Sequence, residues 1–271
     1  MDYKTINFEE IEPEIGLLTL NRPESLNALS LKMLDDLYSL FAFLNSDLKI
    51  RVLIITGAGR GYCSGADLKD EGMNSEEGRK AFGSASIHLD MIQKKYSGII
   101  KEMRRLPQPI ISAVNGAAAG GGMTLALASD VIIASDNANF TPSFINIGLS
   151  GGELGTTYFL PKMVGIAKAS EILMTGRTVN AEEAERIGMI CRMVPEQQLM
   201  DSALEVARSM VDKTPLGLRL TKETIRQNLD APCLENAIEL ENRNQSILCT
   251  APEFFEAVAK FVSRNSKKDK N

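Results

Sequence analysis

The 271-residue chain has no tryptophan, one histidine and four cysteines, and each shortage removes a class of chemistry. Cys63, Cys191, Cys233 and Cys249 stand far apart and form neither a CxxC pair nor a Cys/His metal pattern. They read as reduced thiols of an intracellular protein, and no metal site is expected. A Ser/His/Asp hydrolase built from Ser64 or Ser143 with His88 lacks the nucleophile-elbow sequence. There is no excess of basic residues: the net charge of -5 argues against general affinity for nucleic acid or an anionic membrane. The first residues show no basic-then-apolar signal segment, and no uncharged run is long enough to span a bilayer. A cytoplasmic, non-membrane protein is expected. No GxxxxGK[ST] occurs, and Gly57-Ala58-Gly59-Arg60-Gly61 misses the dinucleotide fingerprint because Tyr62 stands where its third glycine belongs.

Apolar residues make up 44% of the chain, enough for one large domain or a domain with an appendage. The stretch from Pro109 to Ser135 organises the rest. A short apolar run, Ile110 to Val114, turns at Asn115-Gly116 and passes through Ala117 to Gly122. Helical spacing follows through Leu125 and Leu127, then a second apolar run at Val131 to Ala134, so it reads as strand, glycine turn, helix start, strand. Amides near Gly120, Gly121 and Gly122 would point into open space at a helix N-terminus, a position that favours negative charge. The same three glycines also suit a tight packing turn.

Along the chain, Ile15 to Leu20 reads as a strand broken by Asn21-Arg22-Pro23, and Ser30 caps a helix to about Asn45 with Leu34, Leu37, Phe41 and Leu44 on one face. Arg51 to Thr56 is a buried strand ending in the glycine-rich turn Gly57 to Gly65. A weakly patterned helical region, mobile or partly exposed, runs from Asp67 to Lys95, and a helix from Tyr96 to Leu106. Strand, helix and strand recur through Gly148 and the stretches 158–164, 167–175 and 181–188, with a strand at 189–194. From Glu196 onward the pattern is helical, at 197–213, 215–228, 234–248 and 252–263, ending in a polar tail, 265–271, expected to fray. The change near residue 200 divides a mixed α/β core, 1–200, from a helical region, 201–271, expected to cover the core and make subunit contacts. Strand-strand-helix units separated by glycine turns would stack into a spiral.

Several stretches together resemble the crotonase family, the enoyl-CoA hydratases and isomerases. They are Asn21-Arg22-Pro23 with Asn27-Ala28-Leu29; Tyr62-Cys63-Ser64-Gly65-Ala66-Asp67-Leu68-Lys69; Asn115-Gly116 through Gly120-Gly121-Gly122; Ala128-Ser129-Asp130; Leu173-Met174-Thr175-Gly176; Ala181-Glu182-Glu183-Ala184; and Gly188-Met189-Ile190. The resemblance covers roughly residues 10 to 265. It implies an α/β, crotonase-like (ClpP/crotonase) spiral of ββα units with a helical C-terminal part, and a homotrimer or homohexamer. It also implies a coenzyme A thioester substrate with no permanently bound cofactor. In this family two backbone amides hold the thioester oxygen, and the matching positions are Ala66 and Gly121. Two preorganised donors would stabilise the enolate left when a proton departs from the carbon beside the thioester. For coenzyme A the resemblance points to Arg22, Ala28, Leu29, Ala66, Asp67, Leu68, Lys69 and, from the C-terminal part, Phe261. Lys69 reads equally as a solvated lysine, and Asp67, like Asp130, matches a position that holds a turn.

The proton-moving group departs from the hydratase pattern. Hydratases carry one glutamate two residues after the GGG and another before the next glycine, positions that fall here on Thr124 and on Phe144 or Ile145. None of these is a carboxylate base. Glu153 lies where single-carboxylate members, including Δ3,Δ2-enoyl-CoA isomerases, carry the acid that shuttles the proton. It is also placed to cap a helix starting near Leu154. Isomerisation through an enolate is the leading expectation. Hydratase, hydrolase or dehalogenase-like chemistry at the same site, and a non-catalytic acyl-CoA-binding protein, stay open. His88 reads as a bland helix residue that could border the acyl pocket.

Overall fold

The computed structural model describes residues 3–70 and 75–268, the latter with backbone alone at 77, 81 and 264–268. It opens with an antiparallel pair, β1 (Ile6–Glu12) and β2 (Ile15–Leu20), in which Ile6 faces Leu20. The sequence gives little sign of β1: it lies at a sheet edge, and of its side chains only Ile6 is fully buried, so it carries no two-residue alternation. Helix α1 (Leu31–Ser46) begins at Ser30, whose hydroxyl accepts from the Met33 amide at 3.1 Å. Leu34, Leu37, Phe41 and Leu44 of its inner face are buried.

The core repeats one unit. Strand β3 (Val52–Gly57) leads through a turn into β4 (Gly61–Cys63) and then helices α2 (Glu76–Phe82), α3 (Ala85–His88) and α4 (Lys94–Arg105). Strand β5 (Ile110–Val114) leads into β6 (Ala117–Ala119) and α5 (Gly121–Leu127). Strand β7 (Val131–Ser135) leads into β8 (Asn139–Thr141), α6 (Thr156–Val164) and α7 (Ile166–Thr175). The first strand of each unit joins one sheet and the second joins another. Among the described residues one sheet has six strands, in the order β1-β2-β3-β5-β7-β10 (β10, Arg192–Val194), and the other has four, in the order β4-β6-β8-β9 (β9, Val179–Asn180). Strand β9 (Val179–Asn180), α8 (Ala181–Arg186) and β10 (Arg192–Val194) complete them, with β10 parallel to β7. Within each sheet the repeated strands run parallel. This is the expected ββα spiral, with β5 buried at every residue.

The weakly patterned helical region expected over 67–95 contains α2 and α3, joined through a π turn (Leu89–Gln93) to α4, which begins at Lys94, before the expected Tyr96. Phe82, Leu89 and Met91 are exposed there. Residues 71–74 of that stretch lie outside the described residues.

The described residues form two compact units that divide between Ala207 and Arg208. Helix α9 (Leu199–Val211) runs across their boundary. The second unit contains α10 (Pro215–Asn228), α11 (Leu234–Cys249) and α12 (Pro252–Lys268). The buried Asn244 of α11 donates to the Thr224 hydroxyl of α10 at 2.8 Å. Residues 265–268, expected to fray, continue α12; residues 269–271 lie outside the described residues.

Candidate active site

Two glycine turns from successive repeats meet. After β4, the Gly65 carbonyl accepts from the Leu29 amide at 2.7 Å, and the Asp67 amide donates to the Leu29 carbonyl at 3.0 Å. This makes a parallel bridge between Leu29 and Ala66. In such a bridge Leu29 bonds to the residues on either side of Ala66, so the amide of Ala66 itself points away from Leu29. On the facing side, the Gly120 amide donates to the Thr141 carbonyl, and Gly120 turns at φ 49° into α5. Gly121 is the first residue of that helix, and its amide is one of those with no intrahelical acceptor. Among the described residues neither the Ala66 nor the Gly121 amide donates to the protein.

The approach of the turns depends on missing side chains. Gly65 sits at φ 92°, and a Cβ built there would stand 2.8 Å from the Ala119 carbonyl oxygen and 3.2 Å from the Gly121 nitrogen. At Gly122 it would stand 2.0 Å from the Cys63 carbonyl oxygen, so only glycine lets α5 start against β4.

Both turns border a cavity of about 270 Å³. Ala66, Gly120 and Gly121 line one part of it. Phe82, Ile92, Tyr96, Phe144 and Ile147 form a largely apolar wall, beside which His88 brings an imidazole and Glu153 a carboxylate. The Gln93 side-chain amide donates to Glu153 Oε1, while Oε2 makes no hydrogen bond among the described residues. The loop bearing Glu153 is tied down at Thr156, whose hydroxyl accepts from the Glu153 amide at 3.1 Å and donates to the Gly151 carbonyl at 2.9 Å. Leu154 follows at φ 52°, an uncommon conformation for a branched residue that costs roughly 1 kcal/mol or more. A Cβ on Gly121 would lie 3.3 Å from Leu154 Cδ1. The cap reading of Glu153 is not what the geometry shows: α6 starts at Thr156 with no side-chain cap, and the carboxylate reaches Gln93 instead.

The positions matching the hydratase glutamates carry no acid. Thr124 is fully buried, and its hydroxyl donates to the Gly120 carbonyl at 3.2 Å. Phe144 is a cavity wall, and Ile145 is partly exposed in a 3-10 turn.

The residues matched to coenzyme A are placed as follows. Arg22 donates through Nη1 to the Ala28 carbonyl and to Asp67 Oδ2, each at 2.8 Å. Asp67 also accepts from the Lys69 amide at 3.0 Å, so it holds this turn. The Leu29 amide and carbonyl are both engaged within the protein, the carbonyl also accepting from the Tyr96 hydroxyl at 2.8 Å. Leu68 is exposed at the cavity rim, and Lys69 is exposed. Phe261 lies in the second unit with its ring exposed. Asp130 accepts from the Ile110 amide at 2.8 Å, a turn contact.

Gln93, Ile92, Tyr96 and Leu154 were not anticipated as site residues. The spacing of His88, Ile92 and Tyr96, four residues apart, puts them on one helical face and is the signal that could have found them. Burial pushes the Tyr96 phenol up, and the Asp70 and Asp67 carboxylates add to it. Burial likewise pushes the Cys63 thiol up to about 12, which makes it an inert core residue beneath the turn.

The enoyl-CoA hydratase/isomerase family model matches residues 10–269. The chain is 43% identical over 256 residues to a probable enoyl-CoA hydratase of Mycobacterium bovis, covering 93% of this chain and 87% of that protein. It is 34% identical over 256 residues to the 1,2-epoxyphenylacetyl-CoA isomerase of Escherichia coli, covering 94% and 95%. A crystal structure of a probable enoyl-CoA hydratase/isomerase from Mycobacterium abscessus superposes with a TM-score of 0.88 at 36% identity, covering 97% of each chain. With repeats, glycine turns and these likenesses spanning nearly its whole length, the chain belongs to the enoyl-CoA hydratase/isomerase, or crotonase, family.

Proposed function

We propose that this protein shifts a double bond in an enoyl-CoA thioester, with the Ala66 and Gly121 amides holding the thioester oxygen and Glu153 carrying the proton. The observation that supports this most is one cavity lined by two unengaged amides and, among the described residues, one carboxylate, while the buried Thr124 and the wall residue Phe144 occupy the positions of the two hydratase glutamates. The Glu153 carboxylate takes a proton from C2 of a 3-enoyl thioester, and the electron pair moves onto the thioester oxygen between the two donors. The charge returns, the double bond settles between C2 and C3, and Glu153 gives the proton back at C4. No activated water is consumed. The apolar wall suits an acyl chain and keeps the enolate from bulk water.

Coenzyme A would enter only as part of the substrate, over the turn carrying Leu68 and Lys69, with Arg22 keeping the Ala28 and Asp67 segments together. The exposed apolar residues of the second unit, Ile225, Leu234, Phe255 and Val262, suit assembly into a homotrimer or hexamer, and the site of action would be cytoplasmic.

A second reading, hydration of a 2-enoyl thioester by water held at Glu153 alone, is favoured by the name of the Mycobacterium bovis relative. Incubation with 3-enoyl-CoA and, separately, 2-enoyl-CoA divides them. Double-bond migration without a 3-hydroxyacyl product supports isomerisation; net hydration that survives Glu153→Ala refutes it.

A further inference from the structure

We infer that Gln93 is the positioning residue for the proton-carrying group: its side-chain amide fixes Glu153 by one oxygen so that the other faces the substrate. This rests on the proposed role of Glu153. Both side chains line the cavity, and Gln93 Nε2 donates to Oε1 of a residue sixty positions further along the sequence. Gln93 is thus brought to the carboxylate by the fold, not by local chain geometry.

The chemistry of the partner fits a group that changes protonation state twice in each turnover. An arginine or lysine would hold a carboxylate strongly but oppose its protonation, and an acid would compete for the proton. A neutral amide donor favours the charged form much less than a cation does and does not compete for the proton. When the proton from C2 lands on Oε2, Oε1 becomes the carbonyl oxygen of the acid and still accepts from Gln93. One contact therefore serves the carboxylate and the acid alike, and the side chain need not reorient between removal at C2 and return at C4.

The backbone on both sides is specialised for this meeting. Gln93 closes the π turn Leu89–Gln93, in which the Lys94 amide donates to the Leu89 carbonyl. The wider turn stacks residues five apart, so His88 and Gln93 both reach the cavity beside Ile92 and Tyr96. On the other side, the left-handed Leu154 and Gly155 follow Glu153 directly, and Thr156 anchors its amide. Glutamate and glutamine are each presented from an irregular backbone segment, and the two segments converge on one hydrogen bond.

The test is a double-mutant cycle with Gln93→Met, which keeps length and loses the donor, and Glu153→Gln, assayed on 3-enoyl-CoA. Gln93→Met is expected to lower kcat about 10- to 100-fold, the scale of a misplaced reacting group, with KM changed less than about threefold. The double variant is expected to be no slower than Glu153→Gln alone, because nothing remains to position. Gln93→Leu, read the same way, guards against a folding defect, with thermal unfolding measured on each. If Glu153→Gln is inactive but Gln93→Met keeps the parent kcat, or the two losses multiply, the positioning role is overturned and the role of Glu153 stands. If Glu153→Gln keeps full activity, both fall.

Discussion

Gly65 and Gly121 approach so closely that a Cβ on Gly65 would stand 3.2 Å from the Gly121 nitrogen. A methyl group there needs the left-handed backbone at 65 and must also push aside the Ala119 carbonyl, 2.8 Å away. Gly65→Ala is therefore expected to displace one of the two donors and lower kcat roughly a hundredfold. It should also cost about 1–3 kcal/mol of stability. Steady-state kinetics and denaturant unfolding on the same preparation check both.

Glu153→Gln replaces the only carboxylate that lines the cavity among the described residues with a neutral group of the same shape. The expected loss in kcat is about 10²–10⁴-fold. Binding of a saturated acyl-CoA, which needs no proton transfer, is expected to stay within about threefold. Solvent deuterium incorporation into the product should fall with kcat.

The main β strands were legible as short apolar runs bounded by turns, and most helices by their period. Ser30, with Leu34, Leu37, Phe41 and Leu44 behind it, marks α1 from start to inner face. Strands β4, β6 and β8 have three residues each, too few for any alternation to show, and the Ala117–Ala119 strand looks like part of a glycine turn. These short strands form the second sheet and hold the site, so its frame was the hardest part to see. Ala66, Gly121 and Glu153 were legible by resemblance, and the fold places all three at one cavity. Gln93 was not, because its importance lies in a contact sixty residues away, made from a π turn that no sequence pattern announces.

Tyr96 joins the apolar wall to the turn by donating to the Leu29 carbonyl, next to the bridge that orients Ala66. Removing the hydroxyl leaves the Asp67 amide as that carbonyl's remaining donor. Tyr96→Phe is expected to cost about 1 kcal/mol in denaturant unfolding. Because the bridge is retained, kcat should fall by no more than about tenfold.

Asp36 is buried at the start of the core and gathers the Lys32 ammonium, the Thr5 hydroxyl and the Thr5 and Lys4 amides. Burial pushes its carboxyl up, but these four donors together outweigh burial and leave it below its ordinary value. A lowered folded value means the contribution is complete above the unfolded carboxyl range near pH ~4 and is lost as pH falls through the folded value. Asp36→Asn is expected to cost about 2 kcal/mol at pH 7. The gap from the parent should close on acidification below about pH 4, as read by urea unfolding across a pH series.

The most direct measurement is a crystal structure with a non-reactive acyl-CoA analogue bound. The account expects the thioester oxygen about 3 Å from both the Ala66 and Gly121 nitrogens, and Glu153 Oε2 within hydrogen-bond reach of C2 and C4. An oxygen held by other groups, or an acyl chain whose C2 and C4 lie beyond the reach of Glu153, would contradict it.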